Sequence, residues 1–117
     1  MKALAKFLTG FVALEHIFFL IVEMFLWTHA IGLKMFKLTP EFAAETVFMA
    51  QNQGLYNGFL AAGLIWALIA AKRDVRIFFL ICVIIAGVFG AVTVSPTVLF
   101  AQAVPAALAL LFTLLKR

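Results

Sequence analysis

Three ionisable side chains lie within an otherwise apolar stretch near the start of the chain: Glu15, His16 and Glu23. A carboxylate beside an imidazole can exchange or share a proton with it, which is the chemistry that a proton-linked binding site requires. Ionisable groups at membrane depth are energetically expensive, and they commonly mark transport sites or proton relays. These residues are therefore the first candidates for a functional site.

The spacing of these residues predicts that most of them share one stripe of a helix. Glu23 follows His16 by seven positions and Trp27 follows it by eleven, so in a helix they lie within about 20° of one another. Glu15 would lie roughly 80° to 100° around the helix from that stripe. We expect the stripe to face the interior of a helical bundle, and Glu15 is still able to do so.

Amide side chains are concentrated in the second apolar region, and we expect them to be the hydrogen-bond partners of the ionisable groups in the first. Gln53 and Asn57 are four residues apart and would share a helix face, close to Gln51 and Asn52. Gln102 adds an amide in the last apolar region. Such groups often serve only to hydrogen-bond helices together, and that structural role is the simpler interpretation for all of these amides except Asn57.

The composition indicates that these residues belong to a membrane protein. Of the 117 residues, 67% are hydrophobic and only 12% are charged, and the mean hydropathy is +1.19. A soluble chain of this length could not cover so much apolar surface with so few charges. The net charge of +4 comes from basic residues at the ends of apolar runs, so no nucleic-acid partner is expected.

We predict an all-α fold: a single domain with four transmembrane helices in an up-down bundle. The spans cover residues 5–27, 52–71, 75–94 and 96–115, with an interfacial or extramembrane helical start at 40–51. The first span would be roughly 34 Å long, which is enough for a hydrocarbon core of about 30 Å. Because it is long and contains ionisable residues, we interpret it as a retained helix and not as a signal peptide.

Local signals predict where the helices begin and where one is disturbed. Thr39-Pro40 places a capping hydroxyl before a proline at the first helical position, and Ser95-Pro96 repeats this signal. Asp74 is the expected cap of the third span. Pro105 lies inside the fourth span, where it would leave a carbonyl unpaired and kink the helix.

The basic residues predict that both termini are cytoplasmic. In that orientation seven basic residues are cytoplasmic and two are outside. The seven are Lys2, Lys6, Lys72, Arg73, Arg76, Lys116 and Arg117, and the two are Lys34 and Lys37. The polar groups of the spans would then belong to the outer half of the membrane, which predicts a polar pocket that opens outward.

Two stretches resemble a known group of proteins. They are residues 15–27, EHIFFLIVEMFLW, and residues 52–63, NQGLYNGFLAAG. Both are similar to the small bacterial membrane proteins grouped as domain of unknown function thirteen-hundred-four. The resemblance extends over essentially the whole chain and implies a four-helix fold that crosses the inner membrane of a bacterium several times, but it implies no activity.

The residues favour a protein that binds or transports a small polar or amphipathic molecule with proton linkage. Ionisable groups would handle protons or charge, and polar or aromatic neighbours would complete the site; together these are Glu15, His16, Glu23, Gln53, Asn57, Asn52, Trp27 and Gln102. Two alternatives fit the same residues. One is a membrane-embedded enzyme that acts on a lipophilic substrate, with the Glu/His pair as acid and base, and the other is an accessory or scaffold subunit.

Partners and cofactors follow from the same considerations. One histidine and two carboxylates have no metal-binding spacing, and the single cysteine, Cys82, has no second cysteine to pair with, so no metal is expected. No cofactor is indicated. The expected partners are membrane lipids, a small-molecule ligand and further copies of the chain, because one four-helix unit has little room for a pathway.

Overall fold

The computed structural model describes residues 2–115, apart from the side chain of Leu99, and all regular elements in that range are helical. The long helices are α1 (Lys2–Phe25), α4 (Val47–Ile69) and α5 (Arg73–Thr93). Two short helices, α2 (Ala30–Phe36) and α3 (Pro40–Glu45), lie between α1 and α4, and a π-helical segment (Leu99–Ala103) leads into α6 (Val104–Leu115). The prediction of an all-α fold is confirmed.

Two of these helices are long and apolar enough to cross a membrane. They are α1 and α5, with 24 and 21 residues. The apolar helical stretch Phe100–Leu115 is shorter. Helix α4 has 23 residues, but its first half contains the four amides Gln51, Asn52, Gln53 and Asn57. By length and composition, then, α1 and α5 could span a bilayer.

The described chain divides into two compact units, which we name by their place in the sequence. The central unit is His16–Phe59, and the terminal unit combines the residues up to Glu15 with those from Leu60 onward. Helices α1 and α4 contribute residues to both units.

The terminal unit has one apolar core to which α1, α4, α5 and α6 all contribute. Its fully or almost fully buried members are Val12, Ala13, Leu64, Leu80, Val83, Ala106 and Ala109. Several of these side chains are small, and small residues allow helix backbones to approach closely. Within a bilayer, van der Waals packing of this kind is a main source of helix association.

Gly87 on α5 marks the closest approach to the π-helical segment. A Cβ atom at Gly87 would lie 2.8 Å from the Cβ of Ala103 and 2.9 Å from its backbone nitrogen. The π-helical segment ends two residues before Pro105. Proline has no N–H, and its ring collides with the carbonyl four residues earlier, so a locally wider helix relieves the conflict. The disturbance predicted at Pro105 therefore takes the form of a π-helical segment.

The helix starts agree only in part with the sequence signals. Thr39 caps α3 as predicted, because its Oγ1 accepts the N–H of Phe42 at 3.1 Å and Pro40 is the first helical residue. The predicted continuous start at 40–51 is interrupted, because α3 ends at Glu45 and Thr46 separates it from α4.

The predicted capping residues at the start of α5 and at Ser95-Pro96 differ in outcome. The expectation that Asp74 caps α5 is wrong: Lys72 is the N-cap, and Asp74 lies in the first turn. There its Oδ1 accepts the N–H of Val75 at 2.9 Å, and its charge stabilises the positive end of the helix dipole. At Ser95-Pro96, the N–H of Thr97 donates to Ser95 Oγ at 3.3 Å, which matches the predicted capping hydroxyl.

The close approach at Gly87 leads to a test of the packing in the terminal unit. Gly87→Ala should lower the free energy of unfolding by about 1–3 kcal/mol, because the new methyl group meets backbone atoms that cannot move independently. Gly10→Ala is the matched control. A Cβ at Gly10 would meet only Leu68 Cδ1, at 4.0 Å, so its stability should be unchanged or raised by up to about 1 kcal/mol.

Each purified variant is unfolded in detergent, and circular dichroism monitors the loss of helix. Equal stability of the two alanine variants would contradict the packing described for Gly87.

Candidate functional site

His16 and Glu23 occupy the buried face of α1 within the central unit. His16 is fully buried, and Glu23 is 8% exposed. The prediction that these two ionisable groups share an inward face of one helix agrees with their burial. Buried positions recur in the first part of α1 at three- and four-residue steps, through Thr9 and Val12 to His16, and Glu23 follows His16 after two further turns.

Glu23 is hydrogen-bonded to Asn57, which brings together two of the predicted site residues. Asn57 Nδ2 donates to Glu23 Oε1 at 2.6 Å, and Asn57 is 6% exposed. The bond joins α1 to α4 across 34 positions of sequence. An ionised Glu23 would make this bond charge-assisted and stronger than a bond between neutral groups, whereas a protonated Glu23 would accept it as a neutral group.

Two glycines of α4 allow this bond to form between short side chains. A Cβ atom at Gly54 would lie 3.2 Å from both Glu23 Cβ and the carbonyl oxygen of Leu20. A Cβ at Gly58 would lie 2.7 Å from Leu20 Cδ1. Because nothing larger than hydrogen separates the helices at these points, the amide of Asn57 can reach the carboxyl group directly.

Trp27 lies in the turn after α1, which ends at Phe25, so the expectation that it continues the helical stripe of His16 and Glu23 is wrong; a second polar contact fixes it instead. Its indole Nε1–H donates to Thr46 Oγ1 at 2.9 Å, and its ring packs against Phe36 with centroids 5.0 Å apart. The Thr46 hydroxyl in turn donates to the carbonyl of Phe42 at 2.8 Å. Trp27 therefore connects the turn after α1 to Thr46, at the junction between α3 and α4.

Other predicted site residues have different surroundings. Asn52 and Gln53 are exposed on α4, although Gln53 is only one turn from Asn57. Gln102 is half-buried in the terminal unit. Glu15 also belongs to that unit, and its Oε1 is buried without a hydrogen-bond partner among the described residues. The structure thus joins Glu23 with Asn57, and Trp27 with Thr46, but it describes no contact of Asn52 or Gln53 with them.

Thr46 and Arg76 are the polar residues that the sequence reasoning missed. Thr46 had no distinguishing signal, because its role depends on the approach of Trp27. Arg76 was counted only as a flanking charge, yet it is just 8% exposed. A signal was available: Leu80, Val83 and Gly87 follow Arg76 at helical spacing and are buried with it.

Together these features define an all-helical protein with two apolar helices that could cross a membrane and a buried carboxylate–amide pair. The profile of the family described as "Protein of unknown function (DUF1304)" matches residues 10–114. The chain belongs to this family, and the expected membership of an uncharacterised family is confirmed.

One relative extends over nearly the whole chain. The chain is 29% identical over 117 residues to the uncharacterised protein YpaA of Lactococcus lactis subsp. lactis (strain IL1403), a match that covers 95% of this chain and 97% of that protein. No solved structure matches the chain.

The Glu23–Asn57 pair leads to a test of stability. Asn57→Leu should lower the free energy of unfolding by about 1–2 kcal/mol, because it leaves a buried carboxyl group without its donor. Gln53→Leu removes an exposed amide from the same helix and should change stability by less than about 0.5 kcal/mol.

Both variants are compared with the unchanged protein by detergent-based unfolding. Equal losses in the two variants would show that the amide of Asn57 has no special partner.

Proposed function

We propose that the chain is a multi-pass protein of the bacterial inner membrane with four spans and both termini cytoplasmic. Helices α1 and α5 have the length and apolarity of spans. Helix α4 and the stretch Phe100–Leu115 would supply the other two, and the shared core of α1, α4, α5 and α6 supports their assembly into one up-down bundle. The excess of basic residues at one set of helix ends supports the orientation.

Cysteine labelling tests this topology. In a Cys82→Ser background, Lys34→Cys and Asp74→Cys each place one thiol at an exposed position. A membrane-impermeant maleimide should label the Lys34→Cys protein in intact cells, and the Asp74→Cys protein only after the membrane is permeabilised. The background protein without added cysteine is the control. Labelling of both thiols in intact cells would contradict the four-span arrangement.

We further propose that the protein binds or transports a small polar or amphipathic molecule, with proton linkage at Glu23. The observation that carries this proposal is the buried Glu23–Asn57 hydrogen bond. A bond between helices needs only two neutral polar groups, and glutamine at position 23 would supply one without the cost of an ionisable group. The presence of a carboxyl group therefore favours a role that uses its proton.

The geometry supports an exchange between a proton and a ligand at this carboxyl group. Asn57 Nδ2 occupies one oxygen of Glu23, which leaves the other oxygen to hold a proton or to accept a donor group of the ligand. His16 lies two helical turns away on the same buried face and offers a second proton-binding group. Trp27, held by Thr46, offers an aromatic surface for an amphipathic molecule. Competition between proton and ligand makes binding weaker as the pH falls.

Native mass spectrometry of the protein released gently from its own membrane tests this function. The unchanged protein and the control Gln53→Leu should both retain a small molecule that is not bulk lipid, and Glu23→Gln should lose it. Glutamine can keep the hydrogen bond to Asn57, so loss of the ligand would report the carboxyl group and not the fold. The same spectra give the number of subunits, for which we expect a homo-oligomer.

The pH dependence of ligand affinity provides a second test, once mass spectrometry has identified the retained molecule. Its affinity should fall by up to about tenfold for each unit of decreasing pH where one proton competes with it, and the residual affinity of Glu23→Gln should vary much less. Retention of nothing but bulk lipid by every variant would contradict the proposal and favour a scaffold. A substrate-to-product conversion in a lipid extract that is lost in His16→Ala would favour the enzyme alternative.

A further inference from the structure

A cavity of about 270 Å³ lies in the terminal unit, where the start of α1, the start of α5 and the end of α6 meet. Four basic side chains line it: Lys2, Lys6, Arg73 and Arg76. No acidic side chain of the described residues is among those lining it. The cavity therefore concentrates positive charge in a small space.

Arg76 is the most constrained of these cations. Its side chain is 8% exposed, and its nearest polar contact is long, with Nη1 donating to Thr113 Oγ1 at 3.5 Å. Its Nε–H is buried and has no hydrogen-bond partner in the part of the chain that the structure describes. A buried guanidinium normally has its donors satisfied by a carboxylate or a phosphate, because desolvation of the charge is otherwise uncompensated. Among the described residues, therefore, Arg76 has a buried Nε–H donor that could bind an anion.

The neighbouring groups do not supply that anion. Thr113 Oγ1 donates to the carbonyl of Ala109 at 2.7 Å, and the carbonyl of Thr113 itself accepts from Arg73 Nη2 at 3.3 Å. The acid closest in sequence is Asp74, which is exposed and accepts the backbone N–H of Val75. The described polar side chains that line the cavity are thus either neutral or cationic.

The start of α5 adds to the attraction for an anion. Its N-cap, Lys72, makes no side-chain capping hydrogen bond, and Arg73 and Arg76 lie in the first turn. The first N–H groups of a helix and its dipole favour negative charge at this end, and Asp74 in the same turn supplies one such charge from outside the cavity lining. Phe112, Ala5 and Ala71 supply apolar wall to the same cavity. The lining therefore suits a molecule that has a negatively charged head next to an apolar part.

We propose that this cavity binds a phosphate group, with Arg76 and Arg73 as its principal donors and Lys2 and Lys6 closing the site. The chemistry is shared by the phosphodiester of an anionic phospholipid and by free phosphate. Guanidinium groups bind phosphate oxygens in pairs, and Nε with one terminal nitrogen is one of the two edges that they present. This site is independent of the Glu23–Asn57 pair, because it lies in the other unit and uses none of the same residues.

Lipid binding to the purified full-length protein in detergent tests the proposal. The probes are dioleoyl phosphatidylglycerol and dioleoyl phosphatidylcholine, and native mass spectrometry measures how much of each binds. The measurement is repeated with inorganic phosphate as a competitor. Phosphatidylglycerol should bind at least tenfold more tightly than phosphatidylcholine. Competition by millimolar phosphate would assign the site to a free phosphate group, and retention of the lipid in its presence would assign it to the lipid phosphodiester.

Two double variants that each remove two positive charges separate the effect of the cavity from the effect of net charge. Lys2→Gln/Lys6→Gln should weaken phosphatidylglycerol binding by about fivefold for each lysine removed. Lys34→Gln/Lys37→Gln removes two cations that do not line the cavity and should change binding by less than twofold. Equal losses in the two double variants, or equal affinity for the two lipids, would overturn the proposal.

Substitution of Arg76 tests the principal donor. Arg76→Gln should weaken phosphatidylglycerol binding most, and Arg76→Lys should retain more of it because the charge remains. Circular dichroism establishes whether each variant keeps its helices, and the two lysine variants decide the proposal if Arg76→Gln unfolds. Unchanged binding by a folded Arg76→Gln protein would also overturn it.

Discussion

The burial of one carboxyl group sets the conditions for the central unit. A carboxyl group removed from water must find a hydrogen-bond donor, and Glu23 finds it in Asn57 on another helix. That requirement fixes the relative register of α1 and α4, because a short amide reaches the carboxyl group from only one position. It also explains the two glycines that flank Asn57, since both lie where a side chain would hold the helices apart. Backbone approach and polar pairing therefore depend on each other.

The short helices between α1 and α4 are held by a neighbouring contact of the same kind. Trp27 donates to Thr46, and Thr46 also bonds to the end of α3, so the indole nitrogen and the hydroxyl are both satisfied. The packing of Trp27 on Phe36 adds an apolar contact from α2. As a result, a stretch with little apolar core of its own is ordered around the end of α1.

The two units differ in the groups that surround their buried ionisable side chains. In the central unit an acid is paired with a neutral amide, which supplies a hydrogen bond without supplying a compensating charge. In the terminal unit four cations line one cavity, and the most buried of them, Arg76, has an Nε–H with no hydrogen-bond partner among the described residues. The first arrangement suits exchange of a proton, and the second suits a bound anion.

Much of the local structure could be predicted from the sequence. Apolar runs and helical spacing determined that the chain is all-helical, and Thr39-Pro40 determined the start of α3, because these signals act within one or two turns. The seven-residue spacing of His16 and Glu23 likewise placed both on one face of α1. The two motif-bearing stretches indicated an uncharacterised family, and the profile match agrees.

Only the tertiary structure decided which polar groups meet. Gln53 and Asn57 have similar chemistry and lie one turn apart, yet Asn57 is buried against Glu23 and Gln53 is exposed. The same holds for Thr46, which becomes a partner through the approach of Trp27, and for Arg76, whose burial depends on the packing of α6 against α5. Helix formation is decided by neighbours along the chain, whereas a hydrogen-bond partner is decided by the distance and rotation between helices, and those depend on all the residues that pack between them.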